Sequence, residues 1–316
     1  MKPFAFVFPG QGSQAVGMLD AWDDHPAVVQ TLEEASEALG EDVARLIHEG
    51  PKEALGLTTN TQPAMLVAGV AAYRAWLSEG GAEPAVVAGH SLGEYAALVA
   101  AGTLSLADAA PLVRFRAQAM QEAVPVGTGS MAAILGLDAQ KVIEGCAEAV
   151  RSFGTGTAEV VEAANFNDPA QTVIAGSKAA VDKACEVLKA MGAKRALPLP
   201  VSAPFHSSLM KPAADKLRER MAQVDFRPPR IPVINNIEVK AETDPDRIRA
   251  ALYEQAFGPV RWVECVRAIQ SRGVAAILEC GPGKVLAGLV KRIDATIPAG
   301  AVYDPASLNE AKALLQ

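Results

Sequence analysis

The chain is poor in the residues on which many protein chemistries depend. Its 316 residues include four cysteines and four histidines. Cys146, Cys185, Cys265 and Cys280 lie far apart and form no C-x-x-C pair, which argues against a disulfide framework or a thiolate metal site and leaves reduced, mostly buried thiols. Positive charge is also short: 29 Lys and Arg face 36 Asp and Glu, a formal net charge of −7. That balance argues against nucleic acid as a partner, since phosphate binding needs a basic surface or stripe. No apolar run reaches membrane-spanning length without a charge, so no membrane partner is expected. The opening MKPFAFVFPGQGSQ lacks the basic n-region, longer apolar segment and cleavage site of a signal peptide, and a cytoplasmic protein is expected. GPGK at 281–284 lacks the spacing of a phosphate loop, and no metal cluster, flavin or nucleotide fingerprint is visible, so no cofactor is expected.

What the chain does have is apolar residues, half of the total, in a regular rhythm. FAFVFPG (4–10) predicts a buried strand, 26–49 reads helical, 61–80 predicts a helix ending at glycine, AVVAG (85–89) a second strand, and 94–123 the helices that follow it. This is an α/β pattern with a mostly parallel sheet. From about 128 the order becomes βαββαβ: SMAAILGL, a helix over 138–151, EVVEAANF, QTVIAGS, a helix over 178–191 and KRALPLPV. That order is the ferredoxin-like signature. The α/β pattern resumes after 205, with VAAILEC (274–280) and a helix to 293. Residues 1–127 and 201–316 therefore read as one large α/β domain, with 128–200 inserted as a subdomain.

Between the strand at 85–89 and the helix after it stands Gly89-His90-Ser91-Leu92-Gly93, a Gly-x-Ser-x-Gly nucleophile elbow. Small residues two before and two after the serine let strand reverse into helix, so the hydroxyl projects from the turn. The N–H of Leu92 then points toward the same space, at a helix N-terminus that favours negative charge. A serine nucleophile needs a base. His90 abuts the serine and should point away; His25 and His48 lie in polar, surface-like surroundings. His206, in VSAPFHSSLM, remains as the leading base. No acid stands out to orient it, so Ser91 and His206 read as a dyad. A dyad suits an activated thioester, whose thiol leaving group has a pKa of about 8.5.

FPGQGSQ (8–14), GHSLGEYAAL (89–98), MQEAVPVGTGSMAAILGL (120–137), NFNDPAQTVIAG (165–176) and FHSSLMKPAADKL (205–217) occur in order over nearly the whole chain. Together they make the sequence resemble the malonyl-CoA:acyl carrier protein transacylases of bacterial type II fatty acid synthesis. The resemblance implies an α/β-hydrolase-like core with an inserted ferredoxin-like subdomain. It implies a malonyl ester on Ser91, His206 as base and later acid, and an oxyanion hole from the backbone N–H groups of Gln11 and Leu92. Gln255 matches the position whose backbone carbonyl region holds the second ring nitrogen of the histidine, and counts with the substrate side of the site.

The resemblance also implies an arginine for the malonyl carboxylate, and Arg114 and Arg116 are candidates. Arg116 shares its helical face with Leu112, Val113, Ala119 and Met120, whereas Arg114 faces Ala110, Ala117, Gln118 and Gln121. A buried arginine needs a partner, and a bidentate carboxylate suits it, so Arg116 is expected; an intraprotein salt bridge is the alternative. Phe205 precedes the histidine, and the resemblance to related acyltransferase domains implies malonyl rather than methylmalonyl for a bulky residue there; otherwise Phe205 is ordinary core. Asn165 either lines the cleft or forms a turn before Asp-Pro. The implied partners are malonyl-CoA, as substrate rather than cofactor, and a separate holo acyl carrier protein, with the enzyme a monomer. A thioesterase, a scaffold with a dead site and a polyketide acyltransferase are the competing readings.

Overall fold

Strand β1 (Phe4–Phe8) is buried at every residue, and its alternation sets the layers of the molecule. In this computed structural model, which describes residues 2–201 and 203–316, Phe4, Phe6 and Phe8 point to one face. Ala5 and Val7 point to the other. The phenylalanines pack edge-on against Tyr73 and Trp76 of the helix Thr58–Ser78, with Phe6 and Trp76 ring centroids 5.3 Å apart. The small residues make room for Trp262, Val266 and Ile269 of the helix Trp262–Gln270. A strand buried on both faces is what a parallel sheet covered by helices requires. The helix Thr58–Ser78 is itself apolar nearly all round, as suits an element in the core.

The other strands are β2 (Val86–Gly89), β3 (Gly129–Leu135), β4 (Val161–Asp168), β5 (Gln171–Ser177), β6 (Arg195–Pro198), β7 (Val233–Ile234), β8 (Ala276–Cys280) and β9 (Ala299–Val302). One sheet runs β7-β2-β1-β8-β9 with every neighbour parallel. The second runs β4-β5-β3-β6 and is antiparallel throughout. The protein is thus mixed α/β, with a parallel sheet and a separate antiparallel one. In β3, Ala132 and Ile134 pack on the helices Ala139–Arg151 and Lys178–Ala190. The alternate residues Met131 and Ala133 join the main core and line a cleft between the sheets.

One stretch is more broken than its periodicity predicts. The helix expected over 26–49 stops at Gly40, which caps Pro26–Leu39 at φ +64°, and Asp42 starts Val43–Glu49 by accepting from the Arg45 N–H. The helices expected over 94–123 are two, parted at Gly102, φ +77°, with Ser105 as N-cap of the second. The two-residue β7 and the glycine-containing β9 are too short for an alternation to reveal.

The register of the parallel sheet prepares the site. Phe8 pairs with Gly89, and Ala88 with Ile234, so β1, β2 and β7 finish side by side. The segments after them leave from one edge, the carboxyl edge where open α/β sheets place ligands. The aromatic face of β1 anchors this arrangement. Phe6→Ala is expected to lower unfolding free energy in urea by about 3–5 kcal/mol; a loss below about 1 kcal/mol would show that the ring cluster is not the centre of the core.

Candidate active site

Ser91 lies two residues beyond the end of β2 and sits at φ +52°, a left-handed conformation strained for a residue with a side chain. The glycines around it permit the turn. A Cβ on Gly89 would lie 1.9 Å from the Gly93 backbone, and one on Gly93 would lie 2.0 Å from the Phe8 carbonyl oxygen. Asn236, just beyond β7, ties the turn down: its Oδ1 accepts from the Ser91 N–H at 2.7 Å and its Nδ2 donates to the Gly89 carbonyl at 2.7 Å. Strain is held here by hydrogen bonds from a neighbouring strand end.

The Ser91 Oγ lies 2.6 Å from His206 Nε2. His206 is also in the left-handed region, φ +61°, and is nearly fully buried. Its Nδ1 is 2.8 Å from the Gln255 backbone carbonyl, which accepts the ring proton and leaves Nε2 with its lone pair toward the serine. The histidine orienter is a peptide carbonyl and not a carboxylate. Burial, and secondly the charge of Arg116, lower the His206 pKa from 6.5 to about 3, so the ring is neutral at pH 7.

Arg116 comes from the helix Leu106–Glu122 and is 2% exposed. Its Nη1 donates to Gln62 Oε1 at 2.5 Å, and its Nη2 donates to Gln255 Oε1 at 3.1 Å and to Ser91 Oγ at 3.2 Å. Its Nε has no partner, and among the described residues no carboxylate lies within salt-bridge distance of it. The alternative of an intraprotein salt bridge therefore belongs to Arg114, which pairs with Glu41 at 2.5 Å. Arg116 is a buried cation beside a nucleophile, hydrogen-bonded only to neutral oxygens, with the Tyr95 ring centroid 5.5 Å from its guanidinium carbon.

Glu94 supplies its distant counter-charge. Buried on the helix Gly93–Ala100, it accepts from the Asn236 N–H and from Gln255 Nε2, each at 3.0 Å. Burial pushes its carboxyl up to about 7, opposed by these two hydrogen bonds and by the Arg116 charge. Gln255 is the junction: its carbonyl holds His206, its Oε1 faces Arg116, and its Nε2 also reaches the Ser91 carbonyl at 3.0 Å.

A cleft of about 350 Å³ opens above these groups, lined by Gln11, Ser91, Leu92, Arg116, Asn165, Phe205 and His206 among others. Every predicted site residue except Gln255 thus faces one space. Gln255 is fully buried behind the site, so its place on the substrate side is corrected: it holds the residues that face the cleft. The Oδ1 of Asn165 is buried without a partner, just after a register shift in the β4–β5 ladder, where Asn165 pairs with Val173 and also bridges to Val260. His90 turns away from Ser91 as expected, and its Nε2 lies 2.8 Å from Asn167 Oδ1. His25 and His48 are far from the cleft: the former caps the helix Pro26–Leu39, the latter contacts Asp20 at 2.5 Å. Gln62, Glu94 and Asn236 went unnoticed in the sequence. Only Glu94 carried a signal, as an acid inside the otherwise small and apolar helix after the elbow.

Residues 5–296 match the family model described as the acyl transferase domain. The chain is 53% identical over 312 residues to the malonyl CoA-acyl carrier protein transacylase of Escherichia coli K12, covering 98% of this chain and 99% of that one. Among solved structures it is similar to an acyl-carrier-protein S-malonyltransferase from Burkholderia pseudomallei 1710b, with TM-score 0.95, 64% identity and coverage of 98% and 99%. It is also similar to a malonyl-transacylase in complex with a holo type II PKS acyl-carrier protein, with TM-score 0.94, 50% identity and 98% coverage of both chains.

The depressed His206 pKa has a signed consequence for the free protein. An unfolded chain takes up this proton near pH 6.5, whereas the native site resists it down to about pH 3. The residue therefore lowers stability as pH falls through that window and has no such effect above it. In an NMR titration the His206 ring is expected to stay neutral at pH 5; a midpoint near 6.5 would mean that the site is open to water.

Proposed function

The chain belongs to the acyl transferase family, among the malonyl-CoA:acyl carrier protein transacylases, and from that premise we propose that Ser91 carries the malonyl group between the two thiols. The observation that carries this reading is Arg116. A buried guanidinium with neutral acceptors and a free Nε, 3.2 Å from the Ser91 Oγ, is a place for an acyl group ending in a carboxylate.

In the first half-reaction, the Ser91 oxygen attacks the thioester carbonyl of malonyl-CoA while its proton passes to His206 Nε2. The oxyanion is received by the backbone N–H groups of Gln11 and Leu92. The C–S bond breaks, and CoA leaves as the thiol with the proton from His206. In the second, the pantetheine thiol of the acyl carrier protein gives its proton to His206 and attacks the serine ester, and Ser91 leaves with that proton. No net redox change or further co-reactant is needed. The Gln255 carbonyl stabilises the imidazolium formed in each half by accepting from its Nδ1.

An acetyl group would leave Arg116 unpaired, and breaking a buried ion pair costs about 3–5 kcal/mol, a selectivity of roughly 10²–10⁴ for malonyl. Asn165 lines the cleft and is taken to meet the pantetheine arm, and Phe205 limits the space beside the acyl carbon. The reading includes a monomer without a cofactor beyond the thioester, acting in the cytoplasm in fatty acid synthesis. Among the described residues no helix is long and apolar enough to cross a membrane.

Intact-protein mass after brief mixing with malonyl-CoA tests the reading. A malonyl adduct is expected on the wild type and not on Ser91→Ala, stable in water and discharged by holo acyl carrier protein. Steady release of malonate and CoA without an adduct would make the protein a thioesterase. In the same assay Arg116→Ala is expected to slow malonylation by about 10²-fold or more while narrowing its advantage over acetylation; an unchanged malonyl-to-acetyl ratio would remove Arg116 from the acyl site.

A further inference from the structure

The turn that bears Gln11 is poorly held by its own backbone. Gln11 and Gly12 form a turn, and among the described residues no backbone–backbone hydrogen bond of good geometry ties residues 10–14 to the rest of the chain. Gly12 sits at φ +116°, and its N–H donates to the Gln14 side chain at 2.7 Å. The tether from outside the turn is a side-chain bond: Thr58 Oγ1 donates to Gln11 Oε1 at 2.9 Å.

That tether is the end of a directed chain. Arg116 can only donate, so the Gln62 amide turns its oxygen to Nη1 and its Nε2 outward. Gln62 Nε2 donates to Thr58 Oγ1 at 3.1 Å, occupying a lone pair and leaving the hydroxyl proton for Gln11. Gln62 and Thr58 are 2% and 3% exposed, so water does not compete for the bond between them, and only Gln11 at the outer end is open to solvent. Each link polarises the next from the buried positive charge outward. The Thr58 hydroxyl is not used as a helix cap, although Thr58 opens its helix.

We propose that Thr58 is a positioning residue: its hydroxyl, oriented by Gln62 and Arg116, holds the Gln11 turn where its backbone N–H meets the oxyanion. The proposal rests on Ser91 as the acylated nucleophile. The group that binds the acyl carboxylate and the group that receives the oxyanion are thereby joined through two buried side chains. A misplaced donor is costly, since displacement of about 1 Å from productive geometry can cost about 10²-fold in rate.

The test is single-turnover malonylation by malonyl-CoA, with kcat and KM for transfer to holo acyl carrier protein, in Thr58→Val, Thr58→Ser, Gln11→Ala and the Thr58→Val/Gln11→Ala double variant. Gln11→Ala removes the exposed acceptor and keeps the backbone donor. Thr58→Val and Gln11→Ala are each expected to slow acylation about tenfold, with KM for malonyl-CoA within about threefold of wild type. The double variant should lose no more than the slower single, because both break one bond. Thr58→Ser should recover to within about threefold of wild type. Wild-type rates in Gln11→Ala, losses that multiply to about a hundredfold, or no recovery in Thr58→Ser would each overturn the relay. If Thr58→Val fails to fold, the Gln11→Ala rate decides alone. An adduct formed equally fast by wild type and Thr58→Val overturns the relay but leaves Ser91 as nucleophile; no adduct on wild type overturns both.

Discussion

A guanidinium cannot shed its charge inside a protein, and burying one without a contacting carboxylate demands that everything around it be arranged as acceptors. Arg116 imposes that demand on this molecule. Gln62, Gln255 and the Ser91 hydroxyl turn oxygens toward it, and each choice fixes another group. With Gln255 Oε1 committed to the arginine, its Nε2 is left to hold Glu94 and the Ser91 carbonyl, and the backbone carbonyl of the same residue receives His206. The polar centre is therefore one network, and its members cannot be replaced singly without leaving a buried group unpaired.

The network is assembled where the strands of the parallel sheet end. β1, β2 and β7 stop level with one another, so the Gln11 turn, the Ser91 elbow and Asn236 arise from adjacent strand ends. This is why the elbow tolerates no side chain at Gly93: it lies against the Phe8 carbonyl, the last residue of the strand that leads into the Gln11 turn. The antiparallel sheet supplies the opposite wall. Its face away from its own helices contributes Met131, Ala133 and Val173, with Asn165 beside the register shift in the β4–β5 ladder. His90 joins the halves at the elbow itself, through Asn167.

Much of this was legible in the sequence because it is local. The elbow announces itself through glycines two residues either side of Ser91; the βαββαβ order is written in consecutive periodic segments; Arg116 separates from Arg114 by 3.6-residue periodicity. The groups that went unread act across long separations. Asn236 reaches Ser91 over 145 positions, and Gln255 reaches Arg116 over 139. An amide in a loop after a two-residue strand has no periodicity to mark it, and its role exists only once parallel pairing brings β7 beside β2. Gln255 shows the same limit differently. Its position was marked, but whether it faced substrate or stood behind the histidine depended on burial, which a residue on an amphipathic helix end does not disclose.

The charge that organises the site also limits its chemistry until substrate arrives. Burial is the largest cause of the fall in His206 basicity, and the Arg116 charge is the next. Burial cannot be undone without opening the cleft, whereas the arginine's share can. On the proposed reading, a malonyl carboxylate seated on Arg116 offsets that positive charge, so the imidazolium formed as Ser91 attacks meets less repulsion. A substrate without a carboxylate, including water alone in the free site, leaves the guanidinium unbalanced and the histidine a weaker base. The same residue would then select the acyl group twice, once by pairing with it and once by permitting the proton transfer that the ester needs. Weak basicity in the free site is consistent with a thioester, whose leaving group asks for little assistance, and with a serine kept quiet between turnovers.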